Sequence, residues 1–368
     1  MAKIISIPLA IILSVFSLIF PAKDGKVESE KRNTNYPYVF VHGLMGWGSY
    51  DSQYKLMPYW GMFGGELLGK LEKQGFDCYA ASVAPSSSAW DRACELYAQL
   101  TGTVTDYGKE HSERCGHNRY GEDFTGRALI EKWDSENKIN LLGHSFGGAT
   151  IRVFASLMAQ GSQAEIEATG SETSPFFTGG KADWIYSLTS LAAPHNGTSS
   201  YNVGEDPSEP PVYENDGAKD NAAYDMYIDN ALELNKTIVT SEESYYFSFA
   251  CTATNKNDDG TYSADNKIME ILFRGSANEM GAYTGITKGG YVIDESWLKN
   301  DGLVNTVSAL APSSAPSQPY EAGNVSKGVW NVMPVYRGDH MSLQGGLFKV
   351  NNNIKDFYLE HLNMINCL

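Results

Sequence analysis

Ser145 stands at the centre of Gly143-His144-Ser145-Phe146-Gly147, directly after the apolar run Ile139-Asn140-Leu141-Leu142 and before a stretch, Gly148 to Met158, that reads as a helix. A serine between glycines at a strand-to-helix turn is the pattern of a nucleophile elbow. The turn is strained, and glycine removes the Cβ atoms that would clash there. Short glycine-bearing patterns arise by chance, so the strand before and the helix after carry the weight of the reading. The plainer alternative is a glycine-rich turn with an incidental serine.

A serine nucleophile needs a histidine base and a carboxylate to orient it, and behind an elbow of this kind the chain order is serine, acid, histidine. Of the seven histidines, three follow Ser145. His361 falls in a C-terminal helical stretch, where a surface histidine is the usual reading. His195, in Ala193-Pro194-His195-Asn196-Gly197, follows the next strand directly and comes too early to lie after an acid. His340, in Arg337-Gly338-Asp339-His340-Met341, sits on a loop after the last strand, where open sheets place their chemistry, and is the expected base. For the acid, Asn300-Asp301-Gly302 offers Asp301, with Asp294 as its competitor. An Asn-Asp-Gly is more often only a turn, though chain position favours Asp301. Two backbone N–H groups must meet the oxyanion of a tetrahedral intermediate. They are expected from Phe146, after the serine, and from Leu44 in His42-Gly43-Leu44 after the first strand. Gly43 lets the backbone approach closely, and His42 reads as a structural loop residue.

The elements that must position these groups follow in order: a strand at 38–41, a helix around 64–74, a strand at 77–83, the elbow strand at 139–142, strands at 184–191 and 245–250, a strand near 332–336 and a helix at 351–364. Apolar strands alternating with helical segments predict an α/β fold of the α/β-hydrolase type: a mostly parallel central sheet with helices on both faces. Residues 84–133, polar with aromatics and histidines, read as a small insertion. Residues 201–219, rich in Gly, Pro, Asn and acid, read as a loop.

The chain has 368 residues, enough for one large domain, and a formal charge of −16. Nucleic acid and anionic membrane surfaces are unfavourable partners for such a chain. Ile4 to Phe20 form an apolar run after Lys3, closed by Pro21-Ala22. That pattern predicts a signal peptide at 1–22, a disordered leader at 23–35 and a catalytic domain at 36–368, hence a secreted protein without a stable membrane anchor. Five cysteines with no paired spacing allow one bridge but no disulfide scaffold.

Several long strings resemble the secreted bacterial lipases of the staphylococcal and thermophilic Bacillus type: Val41 to Gly48, Tyr59-Trp60-Gly61, Trp90 to Leu100, Ala193 to Thr198, Trp297 to Ser308 and Lys327 to Asn331. The resemblance covers about 36–201 and 220–368. It implies cleavage of carboxylic esters of lipids, with Ser145, Asp301 and His340 as the triad, and so lifts Asp301 above Asp294. It also implies structural zinc held by Asp91, His111, His117 and Asp220. Two histidines with carboxylates suit a tetrahedral site for a borderline metal. Without the resemblance such a group would more often be a surface cluster. Cys115, between the histidines, competes as a soft ligand but ranks below Asp220. No slot is left for a water, so the role would be structural.

Two departures limit what carries over. The family's long helical lid is reduced here to the acidic loop 201–219. Its calcium ligands after the catalytic histidine correspond to Ser342, Leu347 and Phe348, which supply no carboxylate, so calcium is not expected there. An open pocket would admit acylglycerols, shorter esters or polymeric polyesters, whether dissolved or at an oil–water interface. The alternatives are a polyesterase or short-chain carboxylesterase, a non-catalytic lipid-binding α/β-hydrolase, and peptide or thioester cleavage on the same triad. The intact triad counts against the non-catalytic reading, and the aromatic-rich strings match lipases rather than peptidases.

Overall fold

The computed structural model describes residues 32–206, 208, 213 and 215–368. The signal peptide, nearly all of the expected leader and part of the 201–219 loop lie outside the described residues. Seven strands form the central sheet: β1 (Tyr38–Val41), β2 (Cys78–Ala81), β3 (Ile139–His144), β4 (Ile185–Leu191), β5 (Tyr245–Phe249), β6 (Ser317–Pro319) and β7 (Trp330–Val332). Their spatial order is β6-β7-β5-β4-β3-β1-β2, and every pairing is parallel.

Five helices matter for the site: α1 (Ala89–Thr101), α2 (Lys109–Cys115), α3 (Phe146–Gln160), α4 (Gln163–Thr169) and α5 (Ile354–Asn366). Strand β1 shows why its run is continuously apolar. Val39 and Val41 face the layer of α1 and α3, while Tyr38 and Phe40 face the layer of α5. Successive side chains point to opposite faces, and both faces are covered, so no position is free to be polar. Tyr38 also donates from its hydroxyl to the Asn366 side chain at 2.6 Å, fixing the end of α5 under the sheet.

Four features differ from the sequence expectation. Helix α1, inside the 84–133 segment, is core rather than appended: Ala93, Leu96, Tyr97 and Leu100 are buried with α3 residues. Its polar Asp91, Arg92 and Gln99 are buried too, and they mask the apolar period. His361 is not a surface residue; it is 3% exposed, and its Nε2 pairs with the Thr189 hydroxyl at 2.8 Å. Edge strand β6 carries Pro319, which a strand tolerates only at an edge, where no ladder donor is needed. Residues 251–297, unassigned in the sequence, build two small hairpins and a helix at Arg274–Ala282. The five cysteines are all free. No helix among the described residues is long and apolar enough to cross a membrane.

Candidate active site

Strand β3 ends at His144 and α3 begins at Phe146, so Ser145 alone makes the turn, at φ 55° and ψ −128°. An L-residue pays for positive φ, and the neighbours allow it only because they lack side chains. A Cβ on Gly147 would lie 2.3 Å from the Val41 carbonyl oxygen, and one on Gly143 would lie 2.3 Å from that of Gly147. The turn lifts Ser145 to the carboxyl end of the sheet.

Two loops at that same end meet it. His340 Nε2 lies 2.8 Å from Ser145 Oγ, and its Nδ1 lies 2.9 Å from Asp301 Oδ2. The other Asp301 oxygen accepts from the N–H groups of Leu303, at 3.0 Å, and Val304, at 2.8 Å. The Asp301 backbone carbonyl takes the His340 N–H at 2.9 Å, so both loops move as one. Asp294, the competing acid, is exposed and caps the short turn at 295–297 by accepting from the Ser296 N–H.

The loop after β1 lies against the serine: a Cβ on Gly43 would come within 2.7 Å of the Ser145 Cβ. Beside it, the N–H groups of Leu44 and Phe146 make no backbone hydrogen bond across the described chain. Tyr59 and His144 join the three parts. The Tyr59 hydroxyl accepts from the Gly43 N–H at 3.1 Å and sits 2.6 Å from His144 Nδ1. His144 Nε2 is 2.8 Å from the His340 carbonyl. The consistent proton assignment has Tyr59 donating to Nδ1 and Nε2–H donating to that carbonyl. Burial, with His340 beside it, pushes His144 down to about 3, so the ring stays neutral. His195 and His361 are likewise structural. His195 Nε2 pairs with the Ser190 hydroxyl at 2.8 Å, and burial holds His361 at about 3.

Beyond His340, Ser342 donates to Asp339 Oδ1 at 2.9 Å. The Lys349 ammonium reaches the carbonyls of Asn266, at 3.0 Å, and Met269, at 2.9 Å. A cation belonging to the chain itself therefore ties this loop to the 266–269 segment.

A second cluster stands where α2 meets the segment around Asp220. His111, Cys115, His117 and Asp220 bring metal-binding atoms within 4.8 Å of one another. Asp91, on α1, belongs beside them. His111 Nε2 is 3.1 Å from Asp91 Oδ1 and 3.4 Å from Asp220 Oδ1, and His117 Nε2 is 3.2 Å from Asp220 Oδ2 and 3.9 Å from Asp91 Oδ1. A tetrahedral zinc with bonds near 2.0–2.1 Å needs ligand atoms roughly 3.3 Å apart, so these donors fit it. His117 adds two observations: its Nδ1 faces the Asn118 carbonyl at 2.9 Å, and its buried Nε2 has no hydrogen-bond partner. Cys115 lies by the other His111 nitrogen, 3.9 Å from Nδ1, where Arg114 also sits at 3.2 Å. The thiol belongs to the same cluster, on the Nδ1 side of His111. Burial opposes charge on His111, but Asp220 and Asp91 outweigh it and raise the ring to about 9.

Sequence reading missed what holds this cluster. Glu165 on α4 is 1% exposed and accepts from the N–H groups of Glu110, at 3.1 Å, and His111, at 2.8 Å, the first turn of α2. Asp225 takes the Ala89 N–H at 2.7 Å, binding the start of α1 to the segment after the loop. The signal for both would have been an acid within an otherwise amphipathic stretch, but partners so distant in sequence cannot be read from it.

A serine held at positive φ between a buried parallel strand and the helix it launches makes this an α/β-hydrolase. The family described as "Lipase-like, C-terminal domain" matches residues 34–207 and 214–365, and the chain belongs to that family. Lipase 2 of Staphylococcus aureus is 30% identical, over 88% of this chain and 52% of that protein, so the chain spans about half the length of the curated relatives it matches. Among solved structures, EstA from Clostridium botulinum is similar at a TM-score of 0.83 and 32% identity, covering 95% of this chain and 92% of that one. Staphylococcus hyicus lipase is similar at 0.78 and 27% identity, covering 92% and 97%.

Proposed function

We propose that this chain is a secreted serine carboxylic-ester hydrolase, a lipase or esterase acting on acylglycerols and related esters. The observation that carries the reading is the hydrogen-bonded line Ser145–His340–Asp301, at 2.8 and 2.9 Å. Ser145 Oγ attacks the ester carbonyl while His340 Nε2 takes its proton. Asp301 keeps Nδ1 protonated and the ring in place. The Leu44 and Phe146 N–H groups hold the oxyanion. His340 then gives the proton to the leaving alcohol, and a water activated by the same nitrogen releases the acid from the acyl-enzyme. Names of similar proteins, lipase and EstA, support the ester class.

Exposed apolar residues near the site favour aggregated or polymeric esters within this class. Phe63 and Phe348 stack with ring centroids 5.7 Å apart, and Leu44, Met45, Ile271 and Leu272 are also exposed. Zinc held by Asp91, His111, His117 and Asp220 would be structural. It would supply positive charge to two buried carboxylates and pin α2 to the segment around Asp220. A p-nitrophenyl ester series run beside a tributyrin concentration series tests the reading. Ordinary saturation on dissolved short esters supports an open site. A sharp rate increase at the tributyrin solubility limit would instead mean that a segment covers the site, and no hydrolysis of either substrate would remove the ester-hydrolase reading.

A further inference from the structure

Arg92 on α1 is fully buried, and none of the ion pairs among the described residues includes it. A buried charge is costly, and Glu95, the acid that acts on this one from the same helix, makes no ion pair with it, so its other surroundings should show what it serves. One guanidinium nitrogen donates to the Gly43 carbonyl at 3.4 Å and another to the His42 carbonyl. The guanidinium carbon also stands 5.0 Å over the Phe146 ring. One side chain thus touches both places where the oxyanion donors originate.

The Gly43 carbonyl takes more donors than Arg92 alone. The Gly46 N–H reaches it at 3.1 Å, and His42 Nδ1 lies 2.9 Å away. His42 Nε2 accepts from the Val83 N–H at 3.3 Å, which leaves the proton on Nδ1. Burial and the neighbouring Arg92 hold that ring down at about 3, so it stays neutral and keeps this tautomer. Three donors thus converge on an oxygen with two lone pairs. That oxygen belongs to the peptide whose N–H is Leu44. Amide resonance passes the pull on the oxygen to the nitrogen, and linked hydrogen bonds polarise one another.

We propose that Arg92 is a positioning residue of the oxyanion hole, fixing and polarising the Gly43–Leu44 peptide and bracing Phe146 so that both N–H groups meet the developing oxyanion with a positive charge behind them. The proposal rests on Ser145 being the nucleophile. It accounts for a buried cation that makes no direct ion pair with a carboxylate: its guanidinium is aimed at the peptides that meet the anion formed during the reaction.

The test compares a p-nitrophenyl ester with its thiono analogue, whose sulfur is a weak acceptor. Removing one whole oxyanion donor costs about 10²–10³ in kcat. Arg92→Gln should therefore lower kcat on the oxygen ester about 10–100-fold, with KM changed by no more than about twofold and the thiono rate much less affected. Arg92→Lys, which keeps the charge but can reach only one carbonyl, should fall between. Melting temperature and metal content are followed alongside, because Asp91 is adjacent. Equal losses on both esters, or no loss on either, would overturn the proposal. If Arg92→Gln does not fold, an unchanged oxygen-to-thiono ratio in folded Arg92→Lys overturns it equally. Hydrolysis surviving in Ser145→Ala would instead remove the nucleophile reading on which the proposal stands.

Discussion

The molecule sets histidine beside aspartate in two places, in arrangements suited to two different chemistries. At the carboxyl end of the sheet, His340 has one carboxylate on one nitrogen and a hydroxyl on the other, at 2.9 and 2.8 Å. At the junction of α1, α2 and the segment around Asp220, His111 and His117 share two carboxylates, and their free nitrogens converge. In the first place the charge of Asp301 is already met by the Leu303 and Val304 N–H groups, so the ring is free to move a proton. In the second, two negative charges face two imidazoles and draw positive charge to the cluster, as a proton on His111 or as a bound cation. What differs is how many carboxylates each imidazole faces and what meets its second nitrogen, the features that would separate a proton shuttle from a metal cage.

The largest effect that would break this comparison comes from the single carboxylate. Asp301→Asn should lower kcat by about four orders of magnitude, because the wrong tautomer of His340 then faces Ser145. Asp294→Asn, at an exposed cap, should leave it near normal. Greater damage from the Asp294 variant in ester hydrolysis would reverse the assignment.

Stripping the metal should cost stability more than catalysis. With free zinc a thousandfold above its dissociation constant the loss is about 4 kcal/mol, of order 10 °C in melting temperature for a domain of this size. Activity at moderate temperature should change far less. Protein purified without chelator that contains no zinc by elemental analysis would contradict this, and so would unchanged metal content in His111→Ala.

The smaller effect concerns a carboxylate without a histidine, whose neighbouring cation, Arg92, does not offset its burial. Glu95 on α1 accepts only from the Ala84 N–H and the Tyr107 hydroxyl, and burial pushes it up to about 7. The folded state therefore holds this proton more tightly than the unfolded chain, whose carboxyl titrates near 4.3. Stability is lost as pH rises from about 4 to about 7, by at most about 4 kcal/mol. Glu95→Gln should gain on the parent over that window and keep a constant lead above it. Melting curves of the two proteins that stay parallel from pH 5 to 8 would refute this.

How much of this was legible in the sequence follows from how local each determinant is. The elbow is local: two glycines, a serine and an apolar run fix the turn, and β3 and α3 appear where they were expected. His340 followed from chain order. Asp301 and Asp294 differ by their loop contacts, which composition does not contain, so the sequence alone left both open. Helix α1 was obscured because Asp91, Arg92 and Gln99 are polar residues with buried partners, and a pattern reader scores them as surface. His361 failed for the same reason, its partner Thr189 lying on a strand far away in sequence. Edge strand β6, with its proline, and the small hairpins of 251–297 lack the alternation that marks a strand.

The most direct measurement labels the protein with a fluorophosphonate, which reacts with activated serines, and locates the adduct by mass spectrometry. It is paired with ester turnover by Ser145→Ala whose melting curve matches the parent. The account predicts one adduct, on Ser145, and loss of essentially all hydrolysis in the folded variant. Labelling at another serine, or near-normal turnover without the Ser145 hydroxyl, would contradict it.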